Sequence, residues 1–274
     1  MKRLQAARVA YLAALAALVL LPFYWMFITA VRPREELAQS PASWLPTALS
    51  FRSFIDVWSA IPFATYLVNS LIVAAVTTVV SVAVSSAAAY SLVRYRPRGS
   101  GIIIAFVLFT VTIPGIVSLV PYYDLFTRIG ALDTRWGLAL SYTVWAIPFN
   151  VLLMRGYFEN AYSIDVEEAA LLDGCTALSV LWRMVLPLSR PGLVAAGTFT
   201  VLLSWNEFIW ASVITSSDTT RTAPVGLQLF IGQYSDNQSL GLWMAGALLV
   251  TLPVVTGFLV VQRHLVTAYG GVNK

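Results

Sequence analysis

The amino-acid sequence predicts an all-α, polytopic membrane protein with six transmembrane helices. Hydrophobic residues make up 58% of the 274 residues and charged residues only 11%, whereas soluble proteins average roughly 25% charged residues. Long apolar runs recur from one end of the chain to the other, and each is close to the roughly 20 residues that a helix needs to cross the hydrocarbon core. The length accommodates six such helices and their connections as one transmembrane domain, residues 1–274.

The first predicted span begins after the basic residues Lys2, Arg3 and Arg8. Its apolar run is longer than the core of about 7 to 15 residues in a cleavable signal peptide, so we expect it to remain as a membrane helix. The prolines and charges between this run and residue 62 predict an external segment. The six predicted spans cover residues 9–31, 65–93, 101–121, 136–154, 192–214 and 241–261.

The second and third spans contain residues that set their packing. Ser81, Ser85 and Ala89 recur every four residues in the second span, and such a stripe of small residues allows another helix to approach closely in lipid. The dipeptide Pro114-Gly115 lies inside the third span and should kink or unwind it. A break of this kind is tolerated where protein or a water-filled path satisfies the freed backbone groups. A packing kink without further function is the alternative.

The distribution of basic residues predicts the orientation. With six spans, the two termini and the even-numbered connections lie on one side of the membrane, and eleven of the 17 basic residues fall there. Cytoplasmic segments carry an excess of Lys and Arg. We therefore expect both termini and the connection of residues 155–190 to be cytoplasmic.

The connection between the fourth and fifth spans is the most polar helix-forming stretch of the chain. Asp165, with Glu168 three residues later, forms a capping-box pattern that predicts the start of a short helix. Gly174 should end this helix, Thr176 should cap a second one, and Pro187 should stop it. The pattern predicts a helix-bend-helix with an acidic front and an apolar back.

The spacing within this connection resembles the cytoplasmic EAA loop of the permease subunits of bacterial ABC importers. It consists of Glu168-Ala169-Ala170, three residues, Gly174, nine residues, Met184, one residue and Leu186-Pro187. The family prefers Ile where this chain has Met184. Capping of its own helix by Glu168 is the simpler interpretation of that residue, and it is compatible with the resemblance.

The resemblance implies a type I ABC importer permease fold in which this loop docks into a cleft of a cytoplasmic ATPase dimer. Nucleotide-driven closure of the ATPase would then move the membrane helices. The residues that the resemblance places at this joint, the contact between the loop and the ATPase, are Asp165, Glu167, Glu168, Ala169, Ala170, Asp173, Gly174, Leu186 and Pro187.

Motifs outside the loop are similar to those of the carbohydrate-importing branch, and most resemble the second permease of maltose-type transporters. They are Asn69-Ser70, Ala88-Ala89-Tyr90 with Arg94, Pro121-Tyr122, Gly130 with Thr134, Asp173-Gly174 and Ser204-Trp205-Asn206-Glu207-Phe208. The resemblance implies a homologous second permease, in a heterodimer, and an extracytoplasmic binding protein that delivers a sugar or sugar derivative to the external segments. It also implies residence in the bacterial inner membrane.

The fifth span contains an ionisable residue at membrane depth. A charged side chain costs at least ~2.5 to 3.5 kcal/mol at the centre of a span, so it usually faces the protein interior and marks a pathway. On a continuous helix Asn206, Glu207 and Trp210 would share one face. An amide, a carboxylate and an indole suit a carbohydrate path, and we predict substrate contact for these three residues. Pairing of Glu207 with a neighbouring helix is the alternative.

The sequence contains no Gly-x-x-x-x-Gly-Lys-Ser/Thr motif, so we expect ATP and Mg²⁺ to bind to the partner ATPase and this chain to be no enzyme. The single histidine, His264, predicts no metal site, and we expect no cofactor. Cys175 is interpreted as a small filler residue. A stand-alone secondary transporter or an intramembrane enzyme remains an alternative, although the former usually shows internal repeats and the latter clustered catalytic groups.

Overall fold

The computed structural model describes residues 2–37, 44–161, 164–232 and 239–270, and these ranges are helical almost throughout and contain no strand. The all-α prediction is therefore confirmed. The helices of the first half are α1 (Lys2–Ala30), α2 (Arg34–Leu37), α3 (Arg52–Ala60), α4 (Phe63–Arg94), α5 (Ser100–Thr112) and α6 (Gly115–Arg128). Those of the second half are α7 (Arg135–Ala161), α8 (Ile164–Leu172), α9 (Ala177–Val180), α10 (Leu186–Leu188), α11 (Arg190–Asn206), α12 (Ile209–Ile214), α13 (Ala223–Gly232) and α14 (Ser239–Gly270), with a π-helical turn at Leu181–Val185 between α9 and α10.

Four helices are long and apolar enough to cross a membrane by themselves: α1, α4, α7 and α14. The total rises to six if each of two bent helix pairs counts as one span. In the first pair, α5 and α6 meet at 95°, at the predicted Pro114-Gly115 break. In the second, residues 177–188 and α11 meet at 82°. The described part of the chain thus has four to six candidate spans, in agreement with the predicted polytopic fold.

The predicted fifth span is interrupted. Helix α11 ends at Asn206, Glu207 and Phe208 leave the helical conformation, and α12 begins at Ile209. The prediction of one continuous helix over residues 192–214 is therefore wrong. The sequence has no proline or glycine at this point that would mark a break. The carboxylate of Glu207 accepts hydrogen bonds from backbone N–H groups at the start of α12.

Two compact units can be recognised from the backbone contacts. The first comprises Met1–Leu67 and Ala223–Val255, and the second comprises Val68–Thr222 and Thr256–Lys274. In the first unit, Val57, Phe63 and Tyr66 are fully buried. The carboxylate of Asp56 lies 2.7 Å from the guanidinium of Arg34 and 3.3 Å from that of Arg52.

In the second unit, a seam of small and polar residues joins α4, α7 and α11. Ser81, Ser85 and Ala89 are fully buried, which confirms the predicted packing stripe. The Ser85 hydroxyl donates to the backbone carbonyl of Ile147 at 3.2 Å, and the Asn150 amide donates to the Thr200 hydroxyl at 2.8 Å. Side-chain hydrogen bonds therefore supplement close packing where three apolar helices meet.

The connection between α6 and α7 is tied to the connection between α12 and α13. One carboxylate oxygen of Asp133 accepts hydrogen bonds from the backbone N–H groups of Ser216 and Ser217, at 2.9 and 3.0 Å, and from the Thr220 hydroxyl. Burial alone would raise the pKa of Asp133, but these hydrogen bonds outweigh it and hold the pKa well below its usual range. Asn69 adds hydrogen bonds from its amide to the carbonyls of Thr219 and Arg221.

Two glycines of α7 provide a matched test of this packing. A Cβ atom on Gly137 would lie 2.1 Å from the backbone oxygen of Ala131, whereas a Cβ on Gly156 meets nothing within 4 Å. We expect Gly137→Ala to lower the thermal unfolding temperature of the purified protein, because the backbone of the preceding turn must shift. Gly156→Ala should raise that temperature or leave it unchanged, because alanine stabilises a helix interior by roughly 0.5–1 kcal/mol relative to glycine. Equal effects of the two substitutions would contradict the described packing.

Candidate functional site

A buried carboxylate anchors the loop of residues 155–190 to the end of α4. The side chain of Glu167, in α8, is only 1% exposed. Its carboxylate lies 2.9 Å from Nε of Arg94 and accepts a 2.5 Å hydrogen bond from the hydroxyl of Tyr90. Tyr90 and Arg94 are four residues apart and so lie on the same face of α4. The charge of Glu167 is thereby compensated where it cannot reach water.

The neighbouring carboxylate of Glu168 is in a different environment. Its side chain is 57% exposed, and it lies 3.7 Å from a terminal nitrogen of Arg94. Successive helical residues differ by about 100° in direction, which explains why one glutamate points inward and the other outward. Surface pairs of this kind contribute little stability, so Glu168 is available to another protein.

The predicted capping box is wrong. Helix α8 begins at Ile164, so Asp165 lies inside the first turn rather than at the N-cap. Asp165 and Glu167 are both acidic residues of the first turn, where negative charge is favourable near the helix N-terminus. Glu168 therefore does not close a box with Asp165, and the acidic start of α8 has an electrostatic explanation instead.

Gly174 ends α8 as predicted. Its φ of +88° is left-handed, a conformation that favours glycine. The N–H groups of Gly174 and Cys175 donate to the carbonyls of Leu171 and Ala170, at 3.1 and 3.0 Å. These two bonds form a Schellman motif, which satisfies carbonyls that the helix end would leave free.

The second short helix begins where predicted and ends slightly later. The Thr176 hydroxyl accepts a 3.3 Å hydrogen bond from the N–H of Ser179, which confirms the predicted cap. Pro187 does not stop the helix, since helical structure continues to Leu188. Proline has no N–H to donate to the carbonyl four residues earlier, and the preceding residues adopt a π-helical turn in which the Leu186 N–H bonds to the Leu181 carbonyl. The chain then turns by 82° into α11.

The loop has a buried apolar back. Val180, Leu181 and Val185 pack in one cluster with Met154 and Phe158 of α7. A Cβ on Gly192 would lie 2.6 Å from the ring of Tyr157, so the missing side chain lets α11 approach α7 beside this cluster. The predicted apolar back is confirmed, and it joins the loop to two further membrane helices.

The front of the loop contains an unpredicted set of exposed apolar side chains. Leu172 is 89% exposed, Leu178 65% and Trp182 62%. The acids Glu168 and Asp173 of the same loop are exposed too. The front is therefore mixed rather than purely acidic. Leu178 and Trp182 share the helical spacing of Leu181 and Val185, which predicts all four on the apolar back. For Leu178 and Trp182 this prediction is wrong, and periodicity alone could not separate the exposed pair from the buried one.

The remaining predicted coupling residues occupy intermediate positions. In α8, Ala169 is exposed and Ala170 is half-buried, and their small side chains project little from the helix surface. Leu186 is half-buried and Pro187 exposed at the end of the second helix. All nine residues predicted for the joint thus lie on one continuous loop whose orientation Tyr90 and Arg94 fix. Tyr90 and Arg94 belong to the motif Ala88-Ala89-Tyr90 with Arg94, for which the resemblance implied no role at the loop.

The three residues of the predicted substrate path lie around the break in the fifth span. The two oxygens of Glu207 accept hydrogen bonds from the backbone N–H groups of Trp210 and Ala211, at 2.8 and 2.9 Å, and from the Tyr142 hydroxyl at 2.6 Å. Glu207 therefore caps α12 and pairs with α7, the structural alternative stated above. The Asn206 amide donates to the carbonyl of Leu202 at 2.9 Å. Because the helix is interrupted, the premise that the three residues share one helical face is wrong.

Within the described ranges, no group of three or more His, Cys, Asp or Glu side chains is arranged to hold a metal ion. Cys175 is exposed and unpaired. His264 lies in α14, in the segment of residues 263–270 whose side chains the structure does not describe.

Comparison with known proteins places these features in a family. The sequence model described as "Binding-protein-dependent transport system inner membrane component" matches residues 17–269. The diacetylchitobiose uptake system permease protein DasC of Streptomyces coelicolor is 33% identical, over 90% of this chain and 88% of the relative. The trehalose/maltose transport system permease protein MalG of Thermococcus litoralis is 31% identical, over 92% of this chain and 90% of the relative.

The fold also occurs among solved structures. A chain of a bacterial ABC transporter involved in the import of the acidic polysaccharide alginate matches with a TM-score of 0.82 and 24% sequence identity. The match covers 96% of both chains. The predicted ABC importer permease fold is thereby confirmed.

The Arg94–Glu167 pair makes a test of the loop anchor possible. Removing one partner of a buried pair leaves an uncompensated charge, which costs about 3–5 kcal/mol. We expect Arg94→Met to accelerate amide hydrogen exchange in α8 by about 100-fold or more, measured by mass spectrometry. The double variant Arg94→Met/Glu167→Met should restore most of the protection, because the orphaned carboxylate is gone.

Glu168→Met is the matched control for that experiment. Its side chain is 57% exposed and lies 3.7 Å from Arg94. Because such a surface pair contributes little stability, exchange in α8 should change by less than about fivefold. Exchange that is equally fast in the Glu168 and Arg94 variants would show that the buried pair does not hold the loop.

Proposed function

The chain belongs to the family of binding-protein-dependent transport system inner membrane components, and we propose that within it the chain is the permease of an ATP-driven sugar importer. Family membership makes the protein a membrane transport component. It favours a transport component that works with partner subunits over the two alternatives of a stand-alone secondary transporter and an intramembrane enzyme. The observation that carries the proposal is the loop of residues 155–190, which combines a rigid, ion-paired anchor with an exposed apolar front.

The proposed substrate is a sugar or sugar derivative. The relatives compared above are named for diacetylchitobiose and for trehalose and maltose. These molecules share hydroxyl-rich rings with apolar faces. The motifs that this chain shares with carbohydrate permeases support the same class.

The proposed partner at the loop is a cytoplasmic ATPase dimer, which binds ATP and Mg²⁺. Leu172, Leu178 and Trp182 would insert into its surface, while Glu168 and Asp173 would meet cationic groups at the rim. Burying a leucine side chain that was exposed contributes about 1.5–3 kcal/mol, so the apolar front can supply the affinity. The Schellman turn at Gly174 keeps the two short helices at a fixed angle during contact.

Movement of the loop would pass to the membrane helices by three routes. The ion pair of Glu167 with Arg94 connects α8 to α4, the apolar cluster connects the second helix to α7, and the bend at Ser189 continues directly into α11. A push on the loop thus acts on three helices of the same unit at once. Transport then follows as a population shift between inward-open and outward-open states, driven by nucleotide and by the loaded binding protein.

The proposed orientation in the membrane indicates on which side each partner would bind. The excess of basic residues supports a cytoplasmic location for both termini and the loop, which is where the ATPase would bind. A homologous second permease would complete the pathway as a heterodimer. An extracytoplasmic binding protein would dock on the opposite side, where Asp133 and Asn69 stiffen the connection before α13.

Reconstitution of the complete importer tests the proposal. The chain is purified with its associated subunits, placed in proteoliposomes with the binding protein, and assayed with a panel of disaccharides, amino sugars and polyols. We expect an ATPase to co-purify, and at least one sugar to stimulate ATP hydrolysis and to accumulate in the lumen. Absence of an ATPase, or accumulation without ATP, would overturn the proposed function.

Two exposed leucines of the loop front allow a sharper test of ATPase docking. We expect Leu172→Ala/Leu178→Ala to lower the amount of co-purified ATPase at least tenfold, because about 2 kcal/mol or more of apolar contact is lost. Ile102→Ala is the matched control, since Ile102 is 78% exposed but lies on α5. Quantitative mass spectrometry of the purified complex measures the amount of ATPase that co-purifies with each of the two variants. Undiminished ATPase in the double variant would remove the loop front from the interface.

A further inference from the structure

The second unit contains a cavity of about 280 Å³ that is walled largely by aromatic rings. Tyr122, Trp145, Phe149 and Phe199 surround it, and the rings of Phe149 and Phe199 are stacked with their centroids 3.9 Å apart. Binding sites for small molecules are mostly apolar, with a few polar groups, and occupy roughly 300–1,000 Å³. This cavity is slightly smaller than that range and matches one ring rather than a whole oligosaccharide.

The cavity also presents polar groups. Thr110 and Ser118 contribute hydroxyl groups to its lining. Trp145 carries an indole N–H that is buried and has no hydrogen-bond partner within the described part of the chain. A buried donor without a partner costs about 1–3 kcal/mol. Hydroxyl and indole groups next to aromatic faces would complement a molecule with both hydroxyls and an apolar face.

The broken helix pair forms one wall of this cavity. Thr110 and Ile113 come from the end of α5, and Ser118 and Tyr122 come from α6, so the lining extends across the 95° bend. Irregular backbone at membrane depth is tolerated where it is buried in protein or lines a water-filled cavity. Discontinuous helices form the substrate sites of many transporters. The bend at Pro114 therefore lies within the helix pair that forms this wall of the cavity.

The break at Glu207 supports the opposite wall. Trp210 packs edge to face against Tyr122 and Trp145, with centroid distances of 5.2 and 5.8 Å. Glu207 fixes the position of Trp210, because the Glu207 carboxylate accepts a hydrogen bond from the backbone N–H of Trp210. A Cβ on Gly115 would lie 3.2 Å from the ring of Trp145, so this ring is held from both sides. Glu207 and Trp210 do not line the cavity and act as positioning residues for the rings that do.

From this geometry we propose that the cavity between α5, α6, α7 and α11 is a subsite for one pyranose ring of the transported sugar. The ring lies against the aromatic walls, and the hydroxyls of Thr110 and Ser118 and the indole N–H of Trp145 bind its oxygens. The subsite rests on the proposed sugar import and identifies where this chain touches the substrate. It replaces direct contact by Asn206, Glu207 and Trp210 as the chain's contribution to specificity.

A lipid acyl chain is the competing occupant. An acyl chain needs only an apolar wall and would leave the indole N–H of Trp145 without a partner. The Thr110 hydroxyl already donates to the carbonyl of Val107 and can accept a hydrogen bond from a sugar hydroxyl. A second cavity, lined by Phe23, Phe27, Phe54 and aliphatic residues of α14, has that purely hydrocarbon-like character except for a single threonine, Thr251. The aromatic cavity differs from it in the polar groups placed between its rings.

Thiol protection in the complete importer tests the subsite. The Ser118→Cys variant is reconstituted with its partners and arrested with ATP and vanadate, and a small maleimide is added with or without each sugar of the transport panel. We expect every sugar that stimulates ATP hydrolysis to slow labelling of the introduced thiol at least fivefold, and glycerol to have no effect. Peptide mass spectrometry separates this label from that on the exposed Cys175.

A second variant measures the contribution of the aromatic wall. We expect Phe199→Ala to lower sugar uptake at least tenfold while the amount of co-purified ATPase, which reports on folding and assembly, stays the same. Phe109→Ala is the control, because Phe109 is 63% exposed on α5 and is not part of the lining, and its uptake should be unchanged.

Each contrary outcome is distinct. If a sugar is transported but gives no protection, or if Phe199→Ala transports normally, the subsite is wrong while the proposed function stands. If labelling responds to the transfer from detergent into lipid but not to sugar, the cavity holds an acyl chain and the proposal is overturned. If no sugar of the panel stimulates ATP hydrolysis, the proposed sugar import fails and the subsite fails with it.

Discussion

The contact between Glu167 and Arg94 is the constraint on which the described loop depends. A carboxylate that is 1% exposed is costly unless a cation and hydrogen-bond donors compensate it. Only one placement of α8 brings Glu167 to both Arg94 and Tyr90. The exposed front, with Leu172 and Glu168, is the consequence of that placement, because the residues opposite a buried glutamate on a short helix must face outward.

The helix interruptions follow from the same need to satisfy every polar group away from water. Gly174 and Thr176 satisfy helix ends in the loop through backbone and hydroxyl hydrogen bonds. Within the fifth span, Glu207 performs this task with a carboxylate, which accepts two backbone N–H groups at the start of α12. A charged residue at membrane depth thus has a structural reason to be there, and its indirect effect on Trp210 gives it a functional one.

Sequence reasoning was successful where a local rule decides the outcome. The polytopic all-α fold followed from length and hydropathy, the α5–α6 break from Pro114-Gly115, and the end of α8 and the start of the next helix from Gly174 and Thr176. It failed where tertiary contacts decide. The choice between Glu167 and Glu168 as the inward residue depends on where α4 ends, and the break at Glu207 has no glycine or proline to mark it. The aromatic cavity unites residues of α5, α6, α7 and α11, and their proximity is not visible in the order of the chain.

The central claim is that Glu167 transmits loop movement to the membrane helices, whereas Glu168 belongs to the contact surface. The most direct measurement is the ratio of sugar transported to ATP hydrolysed by the complete importer carrying Glu167→Gln or Glu168→Gln. We expect Glu167→Gln to retain the bound ATPase but to lower this ratio at least fivefold, and Glu168→Gln to leave the ratio within twofold of the native value. A native ratio in the Glu167→Gln importer would contradict the account.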